Sequence, residues 1–255
     1  MKNTKTKLTI MVIGATGKIG KKLVHYYVQN DHKVICVNKN PKTTVSDQSI
    51  ESYQIDFTQQ SQVKKFANLL AQKKITIDIV INCIGGLCKE EKINNITESD
   101  IYNVFALNLF SVFFSIQYLN PLIKSGGMIV NFSGGGAIED TSYGSFILYP
   151  CAKAAVLRLT EILSNIMLSF NIYVVAIDPG WVIGEDDLEY IKKNKISDLT
   201  IKSGYDSAHL IEYLYNNKNK NMIGRLFRVF DKYQNYNLNN IKKDSLMLRY
   251  IPFNQ

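Results

Sequence analysis

An alternation of two kinds of segment constrains this 255-residue chain more than any other feature. Residues 8–13, 33–38, 77–82, 127–133 and 172–177 are short runs dominated by isoleucine and valine. A strand covered on one face alternates apolar and polar positions, whereas runs this continuous belong to strands buried on both faces. Segments 18–30, 59–73, 99–119, 150–170 and 207–216 separate these runs and repeat apolar positions at helical spacing, as Val63, Phe66, Leu69 and Leu70 do. A weaker run at 52–55 reads as a third strand and 225–230 as the last. Strand and helix in strict succession predict an α/β fold, a parallel sheet wound with helices on both faces.

The first helix opens on Gly14-Ala15-Thr16-Gly17-Lys18-Ile19-Gly20, directly after the first apolar run. Glycines there permit a tight turn, close approach of a pyrophosphate to the backbone, and close helix–strand packing. The helix N-terminus adds N–H donors and a positive field. In this strand–turn–helix context the pattern predicts dinucleotide binding and a single-domain Rossmann fold with a doubly wound parallel sheet. The second strand ends Val37-Asn38-Lys39, where an acidic residue would hold the ribose hydroxyls of NAD. Asn38 removes the charge that would repel a 2′-phosphate, and Lys39, helped by Lys18, offers a cation to meet it. NADP is therefore expected, with NAD the lesser choice.

Tyr149 and Lys153 stand four residues apart at the start of the 150–170 segment. One helical turn places phenol and ammonium on one face. A neighbouring cation favours the phenolate, so the pair has the makings of a general acid/base near neutral pH. Pro150 suits a first helical turn and biases the residue before it out of helical geometry, which predicts Tyr149 at the helix mouth.

These residues together resemble the short-chain dehydrogenase/reductase family, from about 8 to 231. Asp56 in Ile55-Asp56-Phe57 is similar to the family's adenine-contacting aspartate. Asn82-Cys83-Ile84-Gly85 resembles the segment that closes over the adenosine. Asn108 matches the helix asparagine of the catalytic tetrad, and Tyr149 and Lys153 its Tyr-x-x-x-Lys pair. Asp178-Pro179-Gly180-Trp181-Val182 resembles the turn beside the nicotinamide, and Gly224-Arg225-Leu226 the entry to the last strand. The resemblance implies hydride transfer between nicotinamide and a carbonyl or alcohol. Tyr149 would pass the proton, Lys153 lower the phenol pKa and bind ribose, Ser133 bind the substrate oxygen, and Asn108 hold a water for Lys153. Two departures matter. After the fifth strand the family often carries two serines, the second catalytic; here the chain reads Asn131-Phe132-Ser133-Gly134-Gly135-Gly136. Ser133 is the remaining candidate, with Ser142 or Ser145 as substitutes. Lys18 also stands where many members keep a glycine. The Ser-Gly-Gly-Gly-Ala form loosely resembles a branch acting on sugars and surface polysaccharides. Two further readings fit parts of the sequence: a sugar-nucleotide epimerase or dehydratase, and a non-catalytic NADP-binding regulator.

Composition removes other classes. Hydrophobic residues are 46% and charged residues 20%, as in ordinary globules. No uninterrupted run reaches the roughly eighteen apolar residues of a membrane span, and a polar N-terminus without a secretory core predicts a cytoplasmic protein. The net charge of +8 is scattered along the chain, which argues against nucleic acid as a partner. Cys36, Cys83, Cys88 and Cys151 form no C-x-x-C pair, and His25, His32 and His209 have no ligand spacing, so reduced thiols and no metal are expected. The domain is expected over 1–231, with a substrate lid at about 181–205 and a C-terminal extension at 232–255. Family members pair the 99–119 and 150–170 helices across a two-fold axis, which implies a homodimer or homotetramer.

Overall fold

The computed structural model describes residues 6–40, 47–86, 93–138, 146–182, 201–202, 204–235 and 237–240. The strands are β1 (Thr9–Ile13), β2 (Lys33–Asn38), β3 (Ile50–Gln54), β4 (Ile77–Asn82), β5 (Ile123–Phe132), β6 (Tyr173–Asp178), β7 (Trp181–Val182), β8 (Ile201–Lys202) and β9 (Leu226–Arg228). Seven of them form one sheet in the order β3-β2-β1-β4-β5-β6-β9, with every pairing parallel. The helices are α1 (Lys18–Gln29), α2 (Gln60–Gln72), α3 (Glu98–Phe105), α4 (Ser111–Leu119), α5 (Leu148–Leu168) and α6 (Gly204–Asn216). The expected doubly wound α/β sheet is thus the fold.

Strand side chains alternate between two cores. Ile10, Val12, Val34, Cys36, Ile79 and Ile81 meet Leu23 and Tyr27 of α1 and Leu210 and Leu214 of α6. Met11, Ile13, Ile35, Val37, Val80 and Ile129 meet Phe66 and Leu70 of α2, Ile116 of α4 and Val156 of α5. Both faces are covered, which is why the strands read as unbroken apolar runs. The strand order reverses between β1 and β4, so the crevice at their carboxyl ends is where a doubly wound sheet binds its ligand.

A polar chain crosses this apolar interior. Asn82 Nδ2 donates to Asn131 Oδ1 at 2.8 Å, Asn131 Nδ2 to Thr160 Oγ1 at 2.9 Å, and the Thr160 hydroxyl to Val156 O at 2.8 Å. It ties β4, β5 and α5 together immediately below the carboxyl edge.

Several expectations need correction. The third strand lies at Ile50–Gln54, a short way before 52–55. β5 begins at Ile123 instead of 127 and carries Gly126 at φ +81 through the strand. The 99–119 helix is α3 and α4 joined by a π-helical segment, Ala106–Phe110. Thr97 opens α3 with a capping box, its hydroxyl accepting from Asp100 N–H while Asp100 Oδ2 accepts from Thr97 N–H. Leu69 is 40% exposed and lies off the packed face of α2. By length and mean hydropathy the helical run Glu98–Leu122 would suffice to cross a membrane, although polar residues such as Asp100, Asn103 and Asn108 interrupt it. Its Val112, Ile116 and Leu119 are in the core, and its Tyr102 and Phe113 are exposed.

Candidate active site

The turn after β1 is closed by its own backbone. Gly14 N–H donates to Val37 O at 2.8 Å and Gly17 N–H to Gly14 O at 3.1 Å. A Cβ on Gly14, at φ +90, would stand 2.8 Å from Cys83 O, and one on Gly20 would overlap Gly14 O and lie 2.8 Å from Ala15 Cα. No side chain fits at either position. Gly17 caps α1 with no side-chain hydrogen bond, and no acid stands in the first turn. The start of α1, directly after the carboxyl end of β1, therefore brings the positive end of the helix dipole to the crevice, which suits a pyrophosphate.

Asn38 works on this turn directly. It is buried, and its Oδ1 accepts from Thr16 N–H at 2.8 Å. Lys39 is well exposed and its Nζ lies 2.9 Å from Asp56 Oδ2. Asp56 Oδ1 also accepts from the Thr58 amide and hydroxyl at 2.9 and 2.7 Å. Burial works against the Asp56 charge, but the Thr58 hydrogen bonds and the Lys39 ammonium hold its carboxyl below the usual range. The expected 2′-phosphate cation is thus tethered to the expected adenine contact. Phe57 is buried in the core, edge-on to Phe66, so only its backbone is left for a ligand. Ile19 and Ile84 are partly buried against the two cores.

At the carboxyl end of β5, Tyr149 and Lys153 come from the first two turns of α5. Lys153 is 3% exposed, and its Nζ donates to Phe132 O at 3.1 Å. The ammonium stands 5.8 Å from the centre of the Tyr149 ring. Burial pushes the Lys153 pKa down from 10.5 to about 8, with Cys83 opposing it weakly. Burial pushes the Cys83 thiol up to about 12 against the pull of Lys153 and the Gly20 N–H, so it stays neutral. A Cβ on Gly85 would lie 2.8 Å from both Asn108 Oδ1 and Lys153 Nζ. Glycine at 85 is what allows the turn after β4 to rest on both side chains.

Asn108 sits in the π-helical segment and is fully buried, the kind of helix irregularity found at functional sites. Its Oδ1 accepts from Gly86 N–H at 3.2 Å, and its Nδ2 faces Gly86 O at 3.2 Å and Val104 O at 3.0 Å. Both donors are engaged by protein, so a water serving Lys153 would have to use the second lone pair of Oδ1. Ser133 is buried, and its N–H donates to Ile177 O at 2.8 Å, extending the sheet by one residue. A Cβ on Gly134 would overlap Tyr149 Oη and lie 2.8 Å from Tyr149 Cζ. After β6, Asp178 Oδ1 accepts from Gly180 N–H at 2.9 Å, with Gly180 at φ +65. That turn carries Pro179, and Val182 follows in β7, paired in parallel with β8.

The structure brings together at one edge Gly14, Gly20, Asn82, Cys83, Gly85, Asn108, Tyr149 and Lys153. Most of the expected lid, with Ser142, Ser145, Cys88 and the C-terminal extension beyond 240, lies outside the described residues. Among the described residues no group of three potential metal ligands occurs. Sequence reasoning missed Asn131 and Thr160. The available signal was a lone asparagine near the carboxyl end of each of two adjacent apolar strands, and the two are register partners.

Comparison with known proteins gives the family and agrees with the fold. Residues 8–189 match the short chain dehydrogenase family. The chain is 27% identical to an NADPH-dependent pterin aldehyde reductase of Arabidopsis thaliana, over 68% of this chain and 74% of that protein. It is 24% identical to an NAD-dependent glycerol dehydrogenase of Listeria innocua, over 71% and 72%. A short chain dehydrogenase of Leptospira borgpetersenii, solved with bound NAD+, superposes with a TM-score of 0.76 at 23% identity, over 88% of this chain and 91% of that one.

Proposed function

Because the chain belongs to the short chain dehydrogenase family, whose members are NAD(P)-dependent oxidoreductases, we propose that it moves a hydride between NADP and a carbonyl or alcohol substrate, with Tyr149 as its proton donor and acceptor. The observation that carries this reading is the buried Lys153 ammonium 5.8 Å from the Tyr149 ring, at the carboxyl edge beside the glycine turn. The glycine positions that reject a Cβ and the uncapped start of α1 fit a dinucleotide. A bound nicotinamide supplies the hydride. The protein's own part is placement and electrostatics. The Tyr149 hydroxyl holds the proton that the substrate oxygen gains or loses. Lys153, with a pKa of about 8, favours the phenolate and takes up or releases charge within the working pH range. Ser133 hydrogen-bonds the substrate oxygen where charge develops. Asn108 fixes the Gly86 backbone and so closes the turn over Lys153.

NADP is favoured over NAD by Lys39 and by the lack of an acid at Asn38. The Lys39–Asp56 pair presents its ammonium at the end of β2, and a 2′-phosphate would compete with the Asp56 carboxylate for it. Aldehydes, ketones, sugars and sugar nucleotides are the substrates to try. Tyr149→Phe should lower kcat by at least about 10²-fold while cofactor affinity is retained. Undiminished turnover would remove Tyr149 from the reaction.

The working assembly is a homodimer or homotetramer. Tyr102 and Phe113 of α3 and α4, and Ile162, Ile166 and Phe170 on and just after α5, are exposed apolar side chains. A second copy of the same helices would cover them.

A further inference from the structure

We propose that Gly134 is a positioning residue for the proton transfer: its lack of a side chain creates the place in which the Tyr149 hydroxyl stands. The inference rests on the oxidoreductase reading above. Position 134 looks at first like a loss, a site without the hydroxyl that Ser133 alone must supply. The geometry points the other way. A Cβ at 134 would overlap Tyr149 Oη and stand 2.8 Å from Cζ and 3.1 Å from Cε1. The phenol therefore rests against the main chain of residue 134 and fills the volume that any side chain would need.

The neighbours on either side are fixed. Ser133 is pinned to β6 through its N–H bond to Ile177 O. Tyr149 leaves α5 one turn before Lys153, which is itself bonded to Phe132 O. The three atoms nearest such a Cβ all belong to the far end of the Tyr149 side chain, so relief comes by moving the ring. Restoring an ordinary contact requires a displacement of roughly 1 Å, and an error of that size at a reacting group costs up to about 10²-fold in rate. The phenol also changes its distance to the Lys153 ammonium, so its titration moves. Adding a serine here, which would seem to restore a missing hydroxyl, is expected to harm the enzyme.

The test uses the full chain as wild type, Gly134→Ala and Gly134→Ser. Four quantities are measured: kcat on a carbonyl substrate, NADPH affinity, thermal stability, and the near-ultraviolet titration of the Tyr149 phenol with Tyr149→Phe as blank. Both variants should lose roughly 10- to 100-fold in kcat, with NADPH affinity and melting temperature unchanged and the phenol titration displaced. Gly134→Ser that equals or exceeds wild-type turnover, with the titration in place, overturns the proposal. A variant that fails to fold also overturns it, because the main chain and not the phenol would then have absorbed the overlap. A wild type that turns over no substrate defeats the oxidoreductase reading instead. The titration arm still decides the contact in that case: an unmoved phenol refutes it and a displaced one supports it.

Discussion

Replacing Lys153 by methionine should make the protein more stable and less active, by an amount that depends on pH in a set direction. Lys153 is buried and keeps one hydrogen bond, to Phe132 O. Its pKa falls from 10.5 to about 8, almost wholly through burial. Below about 8 both folded and unfolded chains carry the ammonium, and the folded state bears the full cost of holding it. That cost is about 3 kcal/mol. Between about 8 and 10.5 the unfolded chain binds more protons than the native one, so wild-type stability rises with pH through this window. Methionine, of similar length and no charge, removes the penalty but forfeits a hydrogen bond worth about 1 kcal/mol. The net gain at neutral pH is about 2 kcal/mol, or roughly 4–8 °C in melting temperature for a chain of this size. Urea denaturation of both proteins across the pH range checks it. The advantage of Lys153→Met should be full on the acid side of 8 and shrink to nothing, or reverse, near 10.5. A variant less stable at neutral pH, or a difference flat with pH, would refute the claim that burial sets the Lys153 charge.

Gly20→Ala drives a Cβ into Gly14 O and Ala15 Cα; stability should fall by about 1–3 kcal/mol in denaturant titrations, and NADPH affinity with it. Lys39→Ala should reduce the preference for NADPH over NADH by about tenfold, or about 1.4 kcal/mol, in competitive binding, and an unchanged ratio would exclude Lys39 from cofactor choice. Ile166→Glu places a charge on the exposed apolar face of α5 and should convert a dimer to monomer in light scattering with cofactor binding retained; a wild type already monomeric would end that assignment.

What could be read in the sequence was whatever leaves a periodic or steric trace. β1, β2, β4 and β6 were legible because two-sided burial makes them continuous apolar runs. β3 was misplaced because it is an edge strand, half-exposed along Ile50–Gln54, and its pattern is correspondingly weak. The fifth strand was read from Gly127, yet it runs through Gly126 from Ile123, where Lys124 and Ser125 are exposed and break the apolar run. The π-helical segment left no mark, since one extra residue inside an apolar stretch only blurs the helical period. At the site, Gly14, Gly20, Tyr149 and Lys153 were legible as chemistry at fixed spacing. The Lys39–Asp56 pair was not, because it joins two separate motifs across β3. Gly134 was read as an absence, and only the coordinates show the phenol occupying it.

The Asn82–Asn131–Thr160 chain bears on how Tyr149 and Lys153 keep their places. Sliding α5 along the sheet would break the Asn131-to-Thr160 bond in a dry interior, where no solvent stands ready to replace it. The separation of phenol and ammonium from the nucleotide turn is therefore inherited from strand register. The surrounding loops are left free to differ in length and composition without moving the pair.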